Sequence, residues 1–296
     1  MWWKIRRLHI NLQNAGTPKL NLINNMMLYH YTTIDTLALI LKNKTIRFNR
    51  LDKVDDVEED AFSNGVHLGQ YIFVSCWTKK SEESIPLWKM YGGTDGVRIG
   101  LDEDMFQTYV IHDLKLNNGL HSEGALLSII PQKDFEANDY MIMPIVKGNM
   151  RSFFYRDVEY VDDVKSKVKD AFKTTTKDNN LADIKIDFCN LGRYKNRRWS
   201  FQEECRFVIS ALPFNPLYCD ANTISSTFAQ CYSQNRQLPF SYYDLHLKDE
   251  VIDKIDVTMG PNVSDGQKVI VDALCRQYTK NGKVKDSCLS GLLKMK

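Results

Sequence analysis

Apolar and polar positions divide the chain into short segments of two periods. Met26–Thr32 (MMLYHYT) alternates like a strand, with Leu28 and His30 on one face and Tyr29 and Tyr31 on the other. Thr33 is a good N-cap for a helix running through Lys42, with Ile34, Leu37, Ile40 and Leu41 on its apolar stripe. Thr45–Phe48 reads as a second strand, followed by the acidic loop Val54–Asp60 and a helical turn over Ala61–Leu68. Tyr71–Thr78 (YIFVSCWT) is almost continuously apolar, as expected of a buried strand. Ser81–Tyr91 predicts a short helix carrying Leu87, Trp88 and Tyr91; Gly92-Gly93 breaks it, and Gly96–Leu101 is a further strand.

The middle of the chain is less regular. Asp102–Val110 reads as a short helix and His112–Ala125 as a polar loop. Met141–Val146 and Phe153–Val161 are expected to pair with each other as strands. Asp162–Thr175 predicts a charged helix, and Leu181, Ile184, Phe188 and Leu191 mark an amphipathic one. Its basic end (Arg193, Lys195, Arg197, Arg198) suits either a helix C-terminus or a phosphate. Pro213–Phe240 reads as a long loop or insert and Val251–Met259 as a strand ending at Gly260-Pro261. Ser264 or Asp265 caps a last helix with Val269, Ile270, Ala273, Leu274 and Tyr278 inward, and Val284–Cys288 closes the chain as a strand.

One stretch organises the rest. Arg197–Ala211 (RRWSFQEECRFVISA) reads as a strand rich in aromatic and β-branched residues. Alternation puts Phe201, Glu203, Cys205 and Phe207 on one face and Gln202, Glu204 and Arg206 on the other. Three polar groups in a row on a central strand cost desolvation unless they are paired or used.

Composition narrows the class. With 43% hydrophobic and 26% charged residues the chain has an ordinary globular make-up. A net charge of +2 gives no global argument for nucleic acid or membrane. Seven scattered cysteines without a C-x-x-C pair or zinc spacing suggest reduced thiols in a cytoplasmic protein. No apolar run has the length of a membrane span. Residues 1–26 lack the apolar core of a signal peptide and read as an extension or arm; Met26 and Met27 stand just before the first strong pattern. Residues 27–296 read as one α+β domain with an insert around 103–190, because the short strands do not alternate with helices as in a doubly wound sheet.

The signals also fall in a specific order. His30-Tyr31-Thr32 is followed by Asp55-Asp56-Val57-Glu58-Glu59, then Leu87-Trp88 with Tyr91, then Trp199 with Gln202, Glu204 and Arg206. This order resembles a widespread bacterial family known only as a domain of unknown function. Its members carry an H-Y-T start, an N-D-P-x-E loop, an L-W-x-x-Y segment and a W-x-x-E-x-E-x-R strand. Here Asp55 replaces the Asn, Val57 the Pro, and Gln202 the first Glu, while Asp56, Glu59, Glu204 and Arg206 keep the pattern. More distantly, the layout resembles the ADP-ribosyltransferase superfamily. There a His lies on an early strand before a helix, and a Glu lies on a late strand, often two positions after a Gln or Glu.

That resemblance implies a mixed, mainly antiparallel split β-sheet with flanking helices and NAD as substrate, with no metal. Breaking the nicotinamide–ribose bond passes through an oxocarbenium-like state, which a carboxylate stabilises. The implied roles are Glu204 as that carboxylate, Gln202 orienting it or the acceptor, and His30, with Tyr31 and Thr32, holding the dinucleotide. Tyr91 or Trp88 would stack on nicotinamide, and Arg47 or Arg206 would meet a phosphate. The hydroxyl or aromatic position on the second strand stays open between Ser75, Trp88 and Tyr91. The acceptor, protein or nucleic acid, is not specified, and the usual setting of such proteins is a toxin or phage-defence effector.

Two other readings compete. Asp56, Glu59 and His30, with Glu204, could collect a hard cation in a metal-dependent hydrolase or nuclease. Alternatively, the basic-aromatic run 193–199 could grip nucleic acid without catalysis. The residues themselves carry bland readings too: a core His30, core Trp88 and Tyr91, and Arg206 as the structural partner of Glu204.

Overall fold

The structure is a computed structural model that describes residues 4–10, 26–60, 62–63, 65–112, 125–135, 137–143, 154–177, 181–220 and 222–293. Most of the 1–26 extension and of the polar stretch His112–Ala125 lies outside them. The fold is α+β, built on a mainly antiparallel open sheet of ten strands. In chain order these are β1 (Met27–Thr32), β2 (Thr45–Arg50), β3 (Ile72–Thr78), β4 (Val97–Asp102), β5 (Met141–Met143) and β6 (Tyr155–Asp157). They continue with β7 (Glu204–Leu212), β8 (Tyr242–His246), β9 (Asp256–Met259) and β10 (Lys283–Lys285). The main path runs β5-β7-β3-β1-β4-β9-β10; β6 joins β7, and β2 joins both β3 and β8.

The apolar pattern is realised most closely around β1. Thr33 accepts from the Thr36 amide and caps helix α1 (Ile34–Asn43), which buries Leu37, Ile40 and Leu41. Lys44 ends it in the left-handed region at φ 52°. Alternation then sorts the sheet into two faces. Leu28, Phe73, Trp77, Ile99, Cys205, Phe207 and Ile209 enter one core, while Ile72, Val74, Val208 and Leu212 enter a second on the other side.

Strand β3 is paired along its whole length on one edge, from Glu204↔Thr78 to Ser210↔Ile72. Its other edge is shared. β1 touches it only at Tyr29↔Thr78, and β2 only at Asn49↔Val74 and Arg50↔Phe73. β1 is drawn off by its six-residue ladder with β4, and β2 by its five-residue ladder with β8. The sheet therefore forks beside Ser75–Trp77, and α1 joins the two prongs.

Several expectations are corrected. Asp102–Val110 is not a helix but a turn, an isolated bridge at Phe106 and the start of a strand over Tyr109–His112. Ala61–Leu68 holds a two-residue hairpin (Phe62–Ser63, Val66–His67) instead of a helical turn. β5 and β6 pair with β7 and not with each other. Helix α2 (Val164–Ala171) stops early, and Phe172–Lys177 continues as a strand. Leu181–Ile186, expected to be helical, is a strand between Lys4–Ile10 and Phe172–Lys177. Its apolar spacing of three fits a helix face, but a strand neighbour on each side supplies its hydrogen bonds. Pro213–Phe240 contains helix α3 (Ile224–Ser233), which packs Phe228 and Tyr232 into the second core. Val251–Met259 divides into a turn of helix, Asp249–Ile252, and β9. Helix α4 (Asp265–Tyr278) has the expected cap, a reciprocal Ser264–Gln267 box. Its buried residues are Val271 and Cys275, however, while Val269 and Ile270 stand 68% and 52% exposed.

Candidate functional site

The fork opens into a cavity of about 450 Å³, within the range of small-molecule sites. Its walls come from β1 (Tyr29–Thr32), α1 (Thr36, Leu39, Ile40), β2 (Thr45–Arg47, Asn49), β3 (Val74–Thr78) and the start of β7. Of the residues singled out by sequence, His30, Tyr31, Thr32, Arg47, Ser75, Tyr91, Gln202, Glu204 and Arg206 all line it. Segments some 170 positions apart therefore meet at one opening.

Trp88 does not. It is fully buried, donates its indole N–H to Glu83 Oε2 (2.9 Å) and stands edge-on to Tyr31 (4.9 Å). The five-residue turn Trp88–Gly92 sends it into the core and leaves Tyr91 at the cavity. The stacking role expected of Trp88 is excluded by that burial.

Register places the predicted groups on different faces of the sheet. Glu204 opposes Thr78 and Arg206 opposes Cys76, so these four share one face. Tyr29 also opposes Thr78, which puts His30 on the other face, where its ring meets Trp77 at 5.2 Å. A ligand touching both His30 and Glu204 must thread the gap between β1 and β2.

Each group has a defined partner. His30 Nδ1 lies 2.8 Å from the Cys76 carbonyl. Since a carbonyl only accepts, Nδ1 carries the proton and Nε2 is left as an acceptor. Burial lowers the His30 pKa, partly offset by that bond, so the ring is kept neutral. Ser75 Oγ accepts from the Trp77 indole (2.9 Å). Arg47 is held bidentately by Asp244 (2.9 and 3.0 Å) and covers the Tyr242 ring at 3.6 Å.

Glu204 belongs to a buried network of four charges. Arg206 donates through Nε to Glu204 and through Nη1 and Nη2 to both oxygens of Glu59, the Nη2 contact being 3.1 Å. Lys195 Nζ lies 3.0 Å from Glu204 Oε2 and 3.4 Å from Glu59 Oε1. Burial alone would raise the Glu204 carboxyl, but Arg206 and Lys195 outweigh it and hold it down at about 2. The same carboxylates keep Lys195 and Arg206 charged despite their burial. Cys76 faces this network, and burial followed by the Glu204 charge keeps its thiol protonated.

The acidic loop is the scaffold of that network. Asp56 accepts from the Glu58 amide and the Asn196 amide, Glu58 accepts from Asn196 Nδ2, and Glu59 grips Arg206. Asp56 and Glu59 are thus occupied. Among the described residues no group of three or more His, Cys, Asp or Glu is placed to hold a metal ion. The basic run is dispersed as well. Lys195 is buried, Arg193 and Arg197 face Glu159 and Asp162, and only Arg198 is exposed without an ion pair among the described residues.

Sequence alternation explains Glu204 and Arg206 but not Gln202. Arg197–Gln202 is a 3₁₀ turn, Glu203 takes a left-handed conformation (φ 43°), and the strand begins only at Glu204. Gln202 reaches the cavity through that turn, while Glu203 points outward to Lys80 (2.6 Å). Gln202 donates from Nε2 to the Tyr91 hydroxyl at 2.7 Å, and its Oε1 is buried without a partner among the described residues. Burial, then the charge of Asp55, raises the Tyr91 pKa. Lys195, the network's fourth member, stands in sequence in the basic run and just ahead of Trp199, Gln202, Glu204 and Arg206 in the ordered signals. Its burial between two glutamates had no sequence signal.

No helix among the described residues is long and apolar enough to cross a membrane. Comparison of the chain with protein-family models, curated proteins and solved structures finds no match.

Proposed function

We propose that the chain is an ADP-ribosyltransferase-like enzyme that takes NAD into the fork cavity and breaks its nicotinamide–ribose bond. The observation that carries this reading is the meeting of His30 and Gln202-x-Glu204 at one opening in a split antiparallel sheet. The lining supplies an acceptor at His30 Nε2, an ionised carboxylate at Glu204 and exposed Lys53 and Arg47 for phosphates.

In the reaction the C–N bond breaks with its electron pair leaving on nicotinamide, and the acceptor or water bonds to the ribose carbon. A carboxyl held at about 2 is a poor base. Glu204 therefore acts by electrostatics and by accepting a ribose hydroxyl, and the proton of the nucleophile leaves to solvent. Arg206 and Lys195 offset much of its charge, so a cation contact must loosen as the ribose becomes positive.

The test is incubation with NAD and measurement of free nicotinamide. Wild type releases it; Glu204→Gln loses the activity. Because Glu204 also holds the buried network together, His30→Gln at the opposite prong provides a second variant. A folded wild type that neither binds NAD nor releases nicotinamide overturns the proposal.

A further inference from the structure

The turn that brings Tyr91 to the cavity is fixed from outside the cavity. Trp88–Gly92 is a single wide turn of five residues, followed by Gly93 at φ 56°. Turns this wide are rare and frequently stand at functional sites. Its first residue is held at three points. The Trp88 indole N–H goes to Glu83 Oε2 (2.9 Å), and the ring stands edge-on to Tyr31 (4.9 Å). Gly92 packs so closely on it that a Cβ there would lie 2.9 Å from Trp88 Cε3. Three residues after Trp88, the Tyr91 hydroxyl accepts from Gln202 Nε2 at 2.7 Å. The seat of Trp88 therefore sets where Tyr91 and Gln202 stand.

Glu83 is itself gripped by a distant segment. The Ser287 hydroxyl donates to its Oε2, and the Cys288 amide to its Oε1 (2.8 Å). Ser287 is buried, and Leu289 packs beside it on Tyr31, Leu87 and Trp88. Two ion pairs, Lys285–Asp256 and Lys268–Asp286, also hold this segment, but both are open to water and worth little. Burial would raise the Glu83 carboxyl, yet the Ser287 and Cys288 donors outweigh it and hold it below its usual value. An ionised carboxylate receiving three donors makes stronger bonds than a neutral acceptor would.

We propose that Glu83 is the positioning residue of this cavity wall: clasped by Ser287 and Cys288, it holds Trp88 so that Tyr91 and Gln202 meet the ligand. This role of Glu83 rests on the reading that the fork cavity is the ligand site. It makes the turn Ser287–Leu289, which lines no part of the cavity, a control point for binding there. Such coupling is reciprocal: a ligand that bears on Tyr91 tightens the clasp by the factor by which the clasp tightens the ligand.

The experiment uses the full chain labelled with 3-fluorotyrosine, with the Tyr91 ¹⁹F signal assigned by its absence in Tyr91→Phe. Ser287→Ala removes the hydroxyl donor and Cys288→Pro removes the amide N–H. Made together, they open the clasp, leave Trp88 bonded to Glu83 and touch no residue of the cavity. The Tyr91 signal then moves toward that of an exposed tyrosine. Ser287→Thr, which keeps the hydroxyl, leaves it in place.

NAD turnover gives the second readout. The double variant raises KM about fivefold, the worth of one ordinary hydrogen bond, and leaves kcat unchanged. Partial unfolding alone would do the reverse, because the molecules that stay folded keep the wild-type KM. In wild type, NAD slows hydrogen exchange at the Cys288 amide. A Tyr91 signal that stays at its wild-type position in the double variant overturns the inference, as does a fall in kcat at unchanged KM. A wild type that releases no nicotinamide removes the enzymatic reading, while the Tyr91 signal still decides the role of the clasp.

Discussion

The two edges of β3 are built from the same seven residues and behave differently. Along one edge β7 pairs without interruption, and the polar face so formed encloses Arg206 and Glu204 among Lys195, Glu59 and Cys76. Along the other edge two strands touch only at the ends, and the gap becomes a cavity. Charges on the closed edge must satisfy one another, because water cannot. Where the cavity opens, Gln202 Oε1 is buried without a partner among the described residues, and His30 bonds the Cys76 carbonyl through Nδ1 only. Continuity of strand pairing thus separates groups that hold the fold from groups available for chemistry, and Glu204 stands at the boundary.

The closed edge should fail hardest. Arg206→Met leaves Glu59 and Glu204 buried with only Lys195 between them. Breaking a buried pair in this way costs about 3–5 kcal/mol, to be read from urea unfolding midpoints. Adding Glu59→Gln to that variant should recover part of the loss, because it removes one of the stranded charges. A cost below about 1 kcal/mol for Arg206→Met would show that the closed edge is no more demanding than the open one.

Acid should reach the same network next. The Glu204 pKa is depressed in the folded state, so its contribution is complete above the ordinary carboxylate range and disappears as pH falls from about 4.5 to about 2. On the order of 3 kcal/mol is at stake. Glu204→Gln flattens this limb of the stability–pH curve even though the variant is less stable at neutral pH.

On the open edge the sign of the pH effect comes from desolvation. Burial depresses the folded-state pKa of His30, so below about 6.5 the unfolded chain takes up a proton that the native ring refuses. Stability therefore falls as pH drops through that region, and His30→Gln removes the slope. Loss of the bond to the Cys76 carbonyl should itself cost about 1 kcal/mol.

The same contrast governs what could be read from the chain. Thr33, Leu37 and Leu41 specify α1 locally, through a cap and a 3.6-residue stripe, and both prongs of the fork were legible as strands. Alternation over Glu204–Phe207 separates Glu204 and Arg206 from Cys205 and Phe207 correctly. It fails just upstream, where Glu203 adopts positive φ and the strand expected from Arg197 gives way to a 3₁₀ turn. Glu203 is thereby removed from the face shared by Cys205 and Phe207. In Leu181–Ile186 a helical stripe was overridden by strand partners contributed from distant segments. Candidate residues were visible because their chemistry is local. The fork was not, since it depends on which ladders β1 and β2 join elsewhere in the sheet.

The smallest effect on stability should come from Arg47 and Asp244, an ion pair at the exposed side of the cavity. Both side chains are partly in water, at 49% and 30% exposure, so removing either should change stability by less than about 1 kcal/mol. Their consequence for binding should be larger than for folding. Asp244 occupies the guanidinium bidentately, and a ligand phosphate must displace it to use Arg47. Asp244→Asn should therefore strengthen binding of ADP and make it more sensitive to salt, whereas Arg47→Ala should weaken it, both measured by calorimetry at two ionic strengths. Equal ADP affinity in wild type and both variants would mean that phosphate does not enter at this side. The open edge would then still contain a cavity, and Lys53 would be the exposed cation of its lining left to meet a phosphate.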